Sequence, residues 1–301
     1  MKPSRIVPRL IVTSLAIVVS MFYTVPEFQD FRAAKTYYGF PAHRDFQPVA
    51  EGLYKIDLPW HLTPFHEENL DLFLIQTAAG WCLSDAGGYD TWLHKHATSL
   101  VAAVQRKIGD QPLSYVLLTH GHLDHVGALP LLLPLYPNMK VVIHEAESEH
   151  LTGIEGYFYK EDASFQLKAL TFLKVLPASE FKMEKDRLLL MKGASGSLDF
   201  IGISELTWTH TPGHSPGHVV FHHKSGMLLG GDFADVLESE GKPYLKTMCG
   251  RTCDLPTAKQ SICAIAKDLD FTTILPYHDS LKKGYTQPEL LPLAEAYAGC
   301  S

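Results

Sequence analysis

Past its first nine residues, the chain has no cluster of lysine and arginine, and its 301 residues carry a formal net charge of −7. Phosphate backbones are held by basic surfaces, so this balance argues against nucleic acid as a partner. Cysteine is scarce: Cys82, Cys249, Cys253, Cys263 and Cys300 are the five, and none forms a C-x-x-C pair. A zinc knuckle or a thioredoxin-type motif is therefore unsupported. Cys249 and Cys253 flank a loop-like Gly250 and could bridge in an oxidising compartment, a structural role rather than a catalytic one. There is no internal repeat and no low-complexity tract. What remains is an ordinary globular composition, 46% hydrophobic and 20% charged, long enough for one large core or two fused halves.

A long apolar run occurs once, at the start. Lys2, Arg5 and Arg9 precede Leu10 to Val25, sixteen residues without a charge. As a helix the run would measure about 24 Å, short of the ~30 Å hydrocarbon core. Phe22-Tyr23-Thr24-Val25-Pro26 is too bulky for a clean signal-cleavage site. The segment is read as an uncleaved signal-anchor that would make the protein a single-pass membrane protein through residues 10–25. A cleaved secretory signal is the alternative. Residues 28–48, punctuated by Pro41 and Pro48, read as a connecting segment.

Ordered structure is expected to begin with strands at Gly52–Leu58 and Leu70–Gln76, then Trp81–Asp85 running into a glycine turn. Helical spacing follows over Thr91–Ile108, closed by Gly109 and Pro112. Leu113–Leu118 reads as a buried strand, Ala128–Tyr136 as a short helix with Pro130 in its first turn, and Lys140–His144 as another strand. From Glu145 to Pro177 the pattern turns helical and aromatic. Strands resume after Arg187, with a hairpin at Val219–His223 and Met227–Leu229. Thr257–Leu269 and Gln287–Tyr297 read as helices, with the strand Thr272–Leu275 between them. Strands then helices, twice over, predict a two-sheet core with helices outside.

The strand at 113–118 leads into Thr119-His120-Gly121-His122-Leu123-Asp124-His125, three imidazoles and a carboxylate within six residues. Packing does not demand four ligand-type side chains in one loop. A loop at a strand's end is rigidly held yet open to solvent, and such donors suit zinc and its neighbours with a position left for water. Three later stretches have the same character, each just past an apolar strand. Thr211-Pro212-Gly213-His214 offers an imidazole, with His218 also available; Gly230-Gly231-Asp232 offers a carboxylate; Pro276-Tyr277-His278 offers another imidazole. Strand ends along one sheet edge converge, so distant donors can share a site. Taken alone, Asp232 could equally cap a helix.

The order of His120-x-His122-x-Asp124-His125, His214, Asp232 and His278 resembles the metallo-β-lactamase superfamily, over roughly residues 50 to 280. The resemblance implies an α/β fold, an αββα sandwich of two mixed sheets flanked by helices, with a dinuclear metal site at one edge. His120, His122 and His214 would hold one metal; Asp124, His125 and His278 the other; Asp232 would bridge both. Asp85 matches the family's Asp-x-Gly turn and would support the metal loop. Residues 1–27 would then be the signal-anchor or signal peptide and 49–301 the hydrolase domain, with 145–177 as a helical insert roofing the site.

Five imidazoles and two carboxylates around two divalent ions leave a net positive site, which favours a hydroxide at neutral pH attacking a carbonyl, with Asp124 and Asp232 orienting it. Zinc is the default metal; iron or manganese fit the same donors. True β-lactamases of the superfamily place Cys or Ser where this chain has Asp232, so the resemblance points to the glyoxalase II-like and lactonase-like branches. Glyoxalase II's glutathione-binding region has no match in the roughly twenty residues after His278. The expected substrate is a small carbonyl compound, a lactone or related ester. The alternatives are a thioester of an acyl carrier or glutathione and, in a different class, a metal-binding protein without turnover. His66 and Tyr277 are candidate pocket residues.

Overall fold

A computed structural model describes residues 44–63, 66–90, 95–152, 182–247, 253–279, 281 and 284–300. The first half contains β1 (Gln47–Ala50), β2 (Leu53–Thr63), β3 (His66–Thr77), β4 (Gly80–Ser84), α1 (His96–Ile108), β5 (Leu113–Leu117), α2 (Leu123–Val126), α3 (Leu129–Leu135), β6 (Lys140–His144), α4 (Ser148–Leu151) and β7 (Leu188–Met191). The second contains β8 (Ser195–Leu198), β9 (Ile203–His210), β10 (Val219–His223), β11 (Met227–Gly231), β12 (Asp235–Ser239), β13 (Lys242–Lys246), α5 (Leu255–Asp268), β14 (Thr273–Pro276) and α6 (Gln287–Ala298).

Two mixed sheets carry the fold. In the first, β1 to β7 lie in sequence order, antiparallel up to β4 and parallel from β4 to β7. In the second the order is β14-β11-β10-β9-β8, with β11 and β14 parallel and the other pairs antiparallel. Successive strand residues face opposite ways, and here both faces are covered. Phe73 and Ile75 of β3 join Val142, Phe221 and Leu229 between the sheets. Leu70, Leu72 and Leu74 of the same strand point outward to Leu100, Val104 and Leu132 of α1 and α3. Beyond the second sheet, Val220 and Leu228 meet Ile262 and Ile265 of α5 and Leu290 of α6. The layering is the expected αββα sandwich, and double-sided burial explains why β3 alternates only partly between apolar and polar residues.

Several details differ from the sequence reading. β2 and β3 form one long hairpin paired from Leu53–Ile75 to Thr63–His66, and β1 adds a strand that begins in the last two residues of the segment read as a connection. The hairpin β12–β13 has no apolar run to announce it; its burial is confined to positions such as Val236 and Leu245. The helix at α1 starts at His96, and residues 91–94 lie outside the described residues, as does most of the 145–177 insert.

The membrane reading is corrected: among the described residues no helix is long and apolar enough to cross a membrane. The run Leu10–Val25 that carried the signal-anchor expectation lies outside the described residues.

A disulfide between Cys263 of α5 and Cys300, just past α6, was not foreseen. Cys253 is disulfide-bonded as well, and its expected partner Cys249 lies outside the described residues. Cys82 is a free thiol buried between the sheets, and burial pushes its pKa up to about 12, which makes it inert. The Cys263–Cys300 link closes a sequence separation of 37 and ties the last helix to the second sheet's cover. Cross-linking a loop of this length removes conformational freedom from the unfolded chain. The Cys300→Ser variant is expected to lose about 2–4 kcal/mol in urea unfolding, while reductant should leave that variant's midpoint less affected than wild type's.

Candidate metal centre

The donor loops sit along one edge where the two sheets meet. The parallel pair β4 and β5 places Asp85 and the 119–125 loop side by side, and the parallel pair β11 and β14 does the same for Asp232 and His278. The turn from β9 into β10 brings His214 to the same edge, and Val219 N–H donates across to the Thr119 carbonyl at 2.9 Å.

Asp85 shapes the first loop. Its backbone takes a left-handed φ of 59°, and its carboxylate accepts from Thr119 N–H at 2.8 Å and from the Thr119 hydroxyl. His125 Nδ1 lies 3.3 Å from the same carboxylate, which fixes the ring so that Nε2 faces the site. The loop can approach the Asp85 turn closely because Gly127 has no side chain: a Cβ there would stand 2.1 Å from the Gly88 and Tyr89 backbone.

All seven donors meet at this edge, in two groups. In the first, His214 Nε2 lies 3.1 Å from His120 Nε2 and 2.8 Å from His122 Nδ1, and those two nitrogens are 2.8 Å apart. Asp232 completes this group, its Oδ2 3.4 Å from His214 Nε2. In the second, His278 Nε2 lies 3.2 Å from Asp124 Oδ2 and His125 Nε2 lies 3.1 Å from Asp232 Oδ1. Asp232 is thus common to both. Five of the seven are buried, while Asp124 and His278 are half-buried and mark the open side.

Three imidazole nitrogens cannot satisfy one another by hydrogen bonds alone, since each donor hydrogen serves one acceptor well. His125 Nε2 and Asp232 Oδ1 are both buried and face each other at 3.1 Å. Nitrogens about 2.0–2.1 Å from a tetrahedral ion stand roughly 3.3 Å apart, close to the spacing seen here. The two groups fit a pair of metal ions.

The electrostatics divide the groups. Burial, together with the neighbouring imidazoles, holds His120 well below its ordinary pKa and His122 at about 3; burial also lowers His214. These rings are neutral, the state in which an imidazole coordinates a cation. His125 is the reverse: burial opposes its charge, but the carboxylates of Asp232, Asp85 and Asp124 raise it to about 10. His278 is likewise raised, burial being overcome by Asp232 and Asp124. Burial would push Asp124 up, yet the charges of His125 and His278 draw it to about 2, and the same two residues draw Asp232 well below its ordinary value.

Two supporting residues lay outside the expected donor set. His218 is fully buried, and its Nε2 accepts from the Asp232 backbone N–H at 3.0 Å. Its proton therefore sits on Nδ1 and is donated to Thr211 Oγ1 at 2.8 Å. The Gly-His repeat in Gly213-His214-Ser215-Pro216-Gly217-His218 was the available signal. Tyr277 is buried beneath the second group and is no pocket wall: its hydroxyl donates to the Asp124 carbonyl at 2.6 Å, and its ring lies 4.0 Å from that of His125. The side chain of His66 lies outside the described residues.

A sequence profile of the Metallo-beta-lactamase superfamily matches residues 71–239, more than half of the chain. The chain belongs to that superfamily. "Probable metallo-hydrolase YflN" of Bacillus subtilis is 29% identical over 153 residues, which span 50% of this chain and 56% of YflN. "Probable metallo-hydrolase YqjP" of the same organism is 28% identical over 229 residues, 72% of this chain and 69% of YqjP. Among solved structures, the archaeal superfamily protein ST1585 from Sulfolobus tokodaii aligns with a TM-score of 0.56 at 21% identity, over 81% of this chain and 85% of its own. A metallo-β-lactamase from Erythrobacter litoralis aligns with a TM-score of 0.57 at 17% identity, over 85% of this chain and 97% of its own. At these identities the structural likeness is one of fold.

The divided electrostatics give a measurable consequence. A ring whose pKa lies above the solution pH holds a proton that a cation must displace; a ring held below it has none to lose. At pH 7, filling the second group is expected to release protons from His125 and His278, whereas filling the first releases none from its three imidazoles. Calorimetry of zinc uptake in buffers of differing ionisation heat counts these protons, and His278→Ala is expected to release about one fewer than wild type. Equal counts in the two proteins would contradict the assignment.

Proposed function

We propose that this protein is a dinuclear metal-dependent hydrolase that opens a lactone or cleaves a related ester. The observation that carries the reading is Asp232, the one carboxylate belonging to both donor groups. His120, His122 and His214 would hold one ion, and Asp124, His125 and His278 the other. Imidazole-rich donors with a shared carboxylate favour zinc, and iron or manganese can occupy the same set. When bound, the ions polarise a carbonyl and lower the pKa of water from ~15.7 to ~7.

The chain's own residues supply the rest. Asp124 and Asp232 are held as carboxylates and can accept hydrogen bonds from an attacking water, fixing its lone pair toward the substrate. His218 and Tyr277 hold those two aspartates by their backbones. Substrate approaches from the side of Asp124 and His278. The free thiol of Cys82 is shut between the sheets and serves no nucleophilic step. The choice of lactone rests on an aspartate at 232, where the resemblance would put Cys or Ser in a true β-lactamase.

The test is metal content and turnover of the full-length protein on a panel of lactones and thioesters. About two metals per chain and preferential ring opening of a lactone are expected. Asp232→Ala and His122→Ala should each lower kcat/KM roughly a thousandfold or more while keeping a cooperative unfolding transition, because both side chains sit on loops. Two bound metals with no turnover of either class overturns the hydrolase reading, and preference for thioesters overturns the lactone reading.

A further inference from the structure

Behind the first donor group lies a buried carboxylate that the proposed chemistry does not use. Glu147 follows β6 and is fully buried. Its Oε2 accepts from the Gly121 N–H at 3.1 Å and its Oε1 from the Gly217 N–H at 2.7 Å. Gly121 lies between His120 and His122 on the loop from the first sheet. Gly217 lies three residues past His214 on the loop between β9 and β10 of the second. One side chain therefore grips both halves of the first donor group, each through its backbone.

Local sequence is adapted to this contact. A Cβ at Gly217 would stand 2.6 Å from Glu147 Cγ and 3.1 Å from its backbone nitrogen, so only glycine lets the carboxylate reach that amide. Each hydrogen bond to a charged acceptor is strong where water is excluded, and both partners are amides with no other acceptor to turn to. A hydrophobic residue at 147 could fill the volume but would leave two buried N–H groups unpaired. A buried acid is costly to keep, and the two amides offset that cost, with Ser215 and His150 beside the carboxylate.

We propose that Glu147 is a positioning residue for the metal centre: it sets the separation of the His120/His122 loop from the His214 loop, and with it the affinity of the first donor group for its ion. This rests on the metal-site reading but not on any substrate. Residues that orient metal ligands typically change affinity by about 10–100-fold when removed.

The full-length protein, freed of metal and titrated with cobalt(II), provides a readout independent of turnover, because the visible bands report ligand geometry. Glu147→Gln keeps the volume and one acceptor but turns an amide donor toward a backbone N–H. It is expected to weaken cobalt binding at the first group at least about tenfold and to alter its bands. Gly217→Ala, which displaces the carboxylate while leaving it charged, should do the same, and Glu147→Asp should not restore wild-type binding. Unchanged affinity and spectrum in Glu147→Gln overturns the proposal. Should the variants fold poorly, amide exchange in the wild-type protein decides: slow exchange at both Gly121 and Gly217 is expected, and fast exchange at either overturns the clamp. Failure of wild type itself to bind cobalt would instead count against the metal-site reading.

Discussion

Burying the carboxylate of Asp232 is the electrostatic constraint around which the site is organised. Its side chain is almost wholly removed from water, with His125 Nε2 3.1 Å from its Oδ1. An isolated buried carboxylate is expensive unless positive charge stands beside it. Without metal, His125 and His278 answer by keeping their protons. Cations in the two groups would answer it more strongly, and would release those protons. The same charge that makes the empty arrangement costly is what gives it affinity for divalent ions.

The surroundings hold this costly arrangement in place through contacts to the backbone. His218 takes the Asp232 amide, Tyr277 the Asp124 carbonyl, and Asp85 the Thr119 amide. Each contact fixes the peptide beside a donor and leaves the donor atom free to point inward. The apolar layers do the coarse placement: cores on both faces of each sheet fix the strands, and the strands fix where their loops emerge. Metal chemistry here is therefore a property of an edge, where two well-packed sheets end side by side.

What could be read from sequence followed the range of the interaction. Four donors within six residues declare themselves, because nothing but ligation explains that density. His214, Asp232 and His278 were legible only through position, each just past an apolar strand, and the resemblance chose His214 over His218. The layered fold was legible because strands then helices recur twice along the chain, the order that the resemblance also implies. The link from Cys263 to Cys300 was not, since pairing depends on α5 and α6 lying together, which no local pattern records. Glu147 was hidden for a similar reason: an acid after a strand looks solvated until two amides from distant loops are seen at its oxygens. The apolar run at the N-terminus pulled the reading toward a membrane, although no described helix supports one.

The two donor groups differ in exposure and in charge. The first has three neutral imidazoles, buried and pressed within 3.1 Å of one another, so it needs a cation to relieve their crowding and gains little from water. In the second, Asp124 and His278 are partly exposed, and His125 and His278 hold protons. Asp232 connects the two groups, so a change of charge on the open side is felt by the closed one through a single carboxylate. That asymmetry places the buried donors behind and the partly exposed ones in front, and both groups are held through backbone atoms, the first by Glu147, the second by Tyr277, and the shared Asp232 by His218.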